Sequence, residues 1–167
     1  MRILALGAAI LVATACARDP ESSRWARGES VGRLVAELLQ QKDSVDSVNL
    51  ADLAPYRWDS LYIFPPHTTP AAVDSTLGMD WGGAEGSGIA QVDTAALLVF
   101  TSGGEVVAAT MHPRVYGDFV PSATTGESGA IPSDRARFDV VRPAGGGRLM
   151  YREGSSPSDI NDRNQNP

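Results

Sequence analysis

One cysteine, two histidines and a single lysine are all that this 167-residue chain has of three residue types rich in chemistry. A lone cysteine, Cys16, forms no intramolecular disulfide and leaves a thiol to be explained. His67 and His112 lie far apart in no recognised ligand spacing, so no zinc site and no metal cofactor is expected. The other basic residues are scattered arginines. With a formal net charge of -6, that argues against nucleic acid and against a polybasic lipid-binding patch. The catalytic signatures are missing too. There is no G-x-S-x-G nucleophile turn and no G-x-x-x-x-G-K phosphate loop, and Gly83, Gly86 and Gly88 do not meet the dinucleotide spacing. Asp93-Thr94-Ala95 reads as a turn before a hairpin. Asp159 to Asn164 alternates oxygen-bearing side chains, but Arg163 and the absent glycine rule out a standard calcium loop. No cofactor is expected.

What is present begins at the N-terminus. Met1-Arg2 gives a positive start, and Ile3 to Ala13 is an apolar run, followed at once by the polar Arg18, Asp19, Glu21, Ser22 and Ser23. This is the order of a secretory signal, and it is shorter than the roughly 20 residues that a membrane span needs. Val12-Ala13-Thr14-Ala15-Cys16 resembles the lipobox of bacterial lipoproteins, with Ala13 where Leu is commoner. The resemblance implies removal of residues 1–15 as a signal peptide. It also implies acylation of Cys16, which makes membrane lipid the first partner. The other reading is an ordinary signal with cleavage after Ala13-Thr14-Ala15. Each buried methylene contributes about 0.8 kcal/mol, so two or three acyl chains hold a protein at a bilayer. Ala17 stands where Asp tends to retain enterobacterial lipoproteins at the inner membrane, so the resemblance favours the outer membrane.

Beyond the leader, the length fits one domain. Residues 16–28 are polar and read as a lipidated tether, with Trp25 either touching headgroups or packing on the domain's edge. Residues 29–153 read as a single domain and 154–167, nearly devoid of apolar residues, as a disordered tail. Val31, Leu34, Val35, Leu38 and Leu39 recur at helical spacing and predict a helix over 29–41. Thr69 and Pro70 start a second helix that Gly78 ends. Val45 to Leu50 and Tyr56 to Phe64 predict strands. Residues 79–94 predict a Gly-rich loop with a short strand at Ile89 to Val92. Ala95–Thr101 and Glu105–Met111 flank Gly103-Gly104 as a hairpin, and Ala136–Arg142 with Arg148–Arg152 predict a second. Residues 115–120 add a short extended piece. The fold class is therefore α+β, a mostly antiparallel sheet of about five or six strands with two helices packed on one face.

The segment Arg57-Trp58-Asp59-Ser60-Leu61-Tyr62-Ile63-Phe64-Pro65-Pro66-His67-Thr68, followed by a capped helix, resembles a Trp-Asp aromatic strand motif of small uncharacterised exported bacterial domains. That resemblance implies an exported domain and no particular activity. On strand periodicity Trp58 and Tyr62 share a side, with Leu61 and Ile63 packing inward. The segment is either an aromatic folding motif with Asp59 as a polar anchor, or a binding surface of Trp58, Asp59, Tyr62 and His67 completed by Trp81. The expectation is a lipid-anchored envelope protein with a non-catalytic binding domain and an envelope protein as partner. The alternatives are an envelope enzyme built on a histidine and dispersed carboxylates (Asp59, Asp80, Glu85, Asp118), or a small-ligand binder.

Overall fold

A computed structural model describes residues 20–41, 45–120, 124 and 129–154. The expected signal peptide, Cys16 and the expected tail beyond Gly154 lie outside the described residues. The fold is α+β. Its strands divide into two four-stranded sheets. One has the order β1 (Ser47–Asn49), β7 (Arg137–Val141), β8 (Leu149–Arg152), β5 (Asp118–Phe119). The other has the order β4 (Glu105–Pro113), β3 (Ala95–Ser102), β2 (Ser60–Phe64), β6 (Ile131–Pro132). All neighbours are antiparallel except β5 and β8.

Strand β3 is buried along Ala95 to Thr101, as its unbroken apolar run requires of a strand covered on both faces. It forms the expected hairpin with β4 across Gly103 and Gly104. Their φ values of 60° and 82° are open to glycine at little cost. Leu61 and Ile63 of β2 point with Ala96, Leu98, Phe100 and Ala108 into the larger core. There they meet Phe138, Val140 and Met150 of the other sheet. Phe64, Leu97, Val99, Val106 and Ala109 point the opposite way. They pack under α3 (Pro70–Leu77), Trp81 and Ile89. Full burial of each large apolar side chain contributes about 1.5–3 kcal/mol, so these two layers hold the sheet from both sides.

Helix α3 has the expected ends. Thr69 accepts a hydrogen bond from the Ala72 amide, Pro70 opens the helix, and Gly78 closes it at φ 71°. Residues 79–94 hold a one-turn helix, α4 (Gly83–Gly86). The short strand expected at Ile89 to Val92 is instead a 3-10 turn over Ile89–Gln91, entered through Gly88 at φ 68°. Leu50, expected at a strand end, starts a one-turn helix, α2 (Leu50–Leu53), that Asn49 caps.

The largest departure is at the start of the chain. Helix α1 runs from Pro20 to Gln41, so residues 20–28, expected as tether, are helix continuous with the expected 29–41. Its inward stripe is Trp25, Gly28, Val31, Val35 and Leu39, at spacings of three and four residues. Gly28 is what lets the helix lie against β4. A Cβ on Gly28 would stand 1.8 Å from the Ala109 carbonyl oxygen. Between Phe100 and Thr101 the β3–β4 register shifts, leaving Val107 as the extra residue of a bulge. The Val107 carbonyl accepts a hydrogen bond from Arg27 Nε at 2.7 Å. Helix α1 thus covers a sheet edge whose free carbonyls would otherwise invite another strand.

Candidate functional site

The proposed aromatic surface is not assembled at one place. Trp58 is 7% exposed and belongs to the larger core, edge-on to Phe100 at 5.1 Å. Tyr62 is half-buried on the opposite face, stacked on Phe64 at 6.3 Å. The two do not share a side, because Trp58 precedes β2 and strand alternation does not reach it. Trp81 lies on the Tyr62 face, 4% exposed.

Asp59 anchors a turn. Its Oδ2 accepts from Ser102 Oγ at 3.0 Å and from the Gly103 amide at 2.7 Å. Its own amide donates to the Thr101 carbonyl, and its carbonyl accepts from the Ser133 amide. The carboxylate therefore ties the start of β2 to the tip of the β3–β4 hairpin. His67 lies beyond the other end of β2, so a five-residue strand of roughly 17 Å separates it from Asp59. His67 is exposed and holds a positive φ of 64°, fixed by its amide donating to the Ile89 carbonyl and by Thr68 Oγ1 donating to the Pro65 carbonyl.

Trp81 sits in a cluster that sequence spacing does not reveal. Its ring stacks on Trp25, with centroids 6.0 Å apart and planes at 26°. Its Nε1 donates to Glu21 Oε2 at 3.2 Å, and the same oxygen accepts from Arg24 at 2.9 Å. The Trp81 amide donates to Asp74 Oδ1 at 3.1 Å. Of the two expectations for Trp25, packing on the domain is the one observed. The linking residues are 60 positions apart in sequence, which hides the cluster from any local pattern.

His112 is fully buried in β4. Its Nε2 lies 2.9 Å from the Gly117 carbonyl, which makes Nε2 a donating nitrogen. Burial lowers its pKa, opposed by the Gly117 hydrogen bond and the charge of Asp118. Burial also pushes the phenol of Tyr56 upward, against a smaller lowering by Arg27. Asp118, a candidate acid or base, is held in a fork by Arg114. Nε meets Oδ1 at 2.8 Å and one terminal nitrogen meets Oδ2 at 2.6 Å. The other terminal nitrogen donates to the Asp93 carbonyl at 2.9 Å.

This ion pair lies at the rim of an open groove of about 450 Å³, between Pro65 and Pro66 at the end of β2 and Phe119, Val120 and Leu149. A second groove, of about 410 Å³, runs between α1 and β4 beside Glu29, Arg33, Glu37, Thr110 and Tyr116. Neither brings Asp59, His67 and Asp118 together. Among the described residues no group of three or more His, Cys, Asp or Glu is placed to hold a metal ion. Comparison with protein-family models, with curated proteins and with solved structures gave no match.

Proposed function

We propose that the chain is a bacterial lipoprotein, anchored in the cell envelope through acylated Cys16, whose α+β domain serves as a non-catalytic interaction module for an envelope protein. The observation that carries the reading is the place of the only cysteine. It follows an apolar run and two small residues around Thr14, at the position where a lipobox needs its sulfur. The domain's polar groups favour the non-catalytic side of the reading. Asp59 holds a hairpin and Asp118 has both carboxylate oxygens in an arginine fork, so each best-placed carboxylate is engaged in holding the scaffold. No helix among the described residues is long and apolar enough to cross a membrane.

Fractionation of cells expressing the chain and its Cys16→Ser variant tests the anchor. The parent is expected in the membrane fraction, extracted by detergent and not by salt, and the variant is not. Equal partition of the two refutes the anchor. Pull-down from native membranes tests the interaction module, and a reproducible partner is expected. Turnover of an envelope substrate that is lost on substituting Asp118 would refute the non-catalytic reading.

A further inference from the structure

Resting on the lipid anchor just proposed, we infer that the domain has a fixed membrane-facing end, formed by the first two turns of α1 and the adjoining Trp81–α4 corner. Cys16 and Pro20 are four Cα steps apart, and four extended residues span at most about 14 Å. Whatever path residues 17–19 take, the start of α1 stays within that distance of the anchored Cys16.

The first turn is also clamped to the body. Glu21 accepts from Trp81 Nε1, and Trp25 stacks on Trp81. Arg27 bonds the Val107 carbonyl and Gly28 lies against Ala109. Pro20 is therefore no swivel point. Helix and body therefore move together, and the short leash keeps the start of α1 as the end of the domain nearest the anchor.

The chemistry of this end fits a zwitterionic lipid surface. Its charged residues are Glu21, Arg24 and Arg27 on α1 with Asp80 and Glu85 at the corner, so it carries no basic cluster to seek anionic headgroups. The opposite end of α1 points away from the bilayer. Leu39 lies against Gly117, next to Asp118, which pairs with Leu149 at the start of β8. The exposed β7–β8 turn carrying Ala144 follows at that end, where Leu39 lies about 28 Å along the helix from Pro20.

The test uses the full lipidated chain in phosphatidylcholine vesicles carrying a headgroup acceptor dye. Once Cys16 is a thioether, a cysteine introduced at exposed Ala26 or at exposed Ala144 is the only free thiol to carry the donor. Energy transfer to the bilayer surface is expected to be roughly two-fold or more stronger for Ala26→Cys than for Ala144→Cys, given about 20 Å along the helix between Ala26 and the Leu39 end. It is expected to be unchanged at high salt. Equal transfer, or stronger transfer at Ala144, overturns the orientation and leaves the anchor standing. Dye uptake by the unsubstituted chain shows a free Cys16 instead. That is failure of the anchor reading, and it removes the orientation with it.

Discussion

Replacing Gly28 by alanine adds one methyl group and should turn a normally favourable exchange into a damaging one. In an exposed helix, Gly→Ala gains about 1 kcal/mol from backbone entropy and propensity. Here the new Cβ would lie 1.8 Å from the Ala109 oxygen and 2.3 Å from its carbon, both backbone atoms of a paired strand. Reaching the 3.0 Å that real Cβ contacts respect requires α1 to retreat by about 1.2 Å. That retreat stretches the 2.7 Å bond from Arg27 to Val107, costing about 1 kcal/mol. It also loosens Trp25 and Val31 against their cores, for a further 1–3 kcal/mol or so. The net expectation is destabilisation by about 2 kcal/mol, which lowers the urea midpoint by about 1 M at a slope near 2 kcal/mol/M. Urea unfolding of a non-lipidated chain starting at residue 17 measures this directly. Two controls separate the clash from general glycine effects. Gly86→Ala opens onto empty space and should be neutral or slightly stabilising. At Gly32 the near atom is the Thr110 hydroxyl, 2.9 Å away on a side chain that can rotate, so Gly32→Ala should cost less than Gly28→Ala. An unchanged or raised midpoint for Gly28→Ala refutes the docking of α1 on β4 and returns residues 20–28 to a tether.

Other outcomes follow from the same contacts. Asp59→Ala removes two acceptor contacts at the β3–β4 turn and should lower stability by about 1–2 kcal/mol in the same assay, whereas no loss would show that the carboxylate does not anchor the hairpin. Thr69→Ala removes the α3 cap and should cost about 1 kcal/mol, with Thr69→Ser restoring most of it. His112, whose pKa burial lowers from 6.5, is neutral in the fold while the unfolded chain takes up its proton first. Stability should therefore be independent of this group above about pH 6.5 and fall as pH drops through 6.5 towards the lowered folded value. NMR titration of the folded domain reads the group directly, and a pKa for His112 at or above 6.5 would contradict its burial as a neutral ring.

Much of the fold was legible where local chemistry decides it. Thr69-Pro70 and Gly78 mark both ends of α3, and Gly103-Gly104 marks the hairpin turn, because caps and tight turns are set by neighbouring residues. The division into two sheets was not legible, since β1 pairs with β7 and β2 with β6 across most of the domain, and no short window encodes such partners. Helix α1 was half read. Gly28 and Gly32 look like helix breakers by propensity, yet Gly28 is there because the helix lies directly on a strand. The same limit applies to the candidate site. Period-two alternation placed Trp58 beside Tyr62, but the strand begins only at Ser60. The Glu21–Trp81–Trp25 cluster joins distant segments and had no local signal. Asp59 was readable as a polar anchor, while the two partners on the hairpin tip that it holds became visible only in the folded chain.

The covalent state of one sulfur is the most direct test of a lipid-anchored chain. Intact-mass and N-terminal peptide analysis of the membrane-extracted protein should find a chain beginning at residue 16 with a diacylglyceryl thioether on that cysteine. A chain that still carries its first fifteen residues, or one with an unmodified thiol at Cys16, would contradict it.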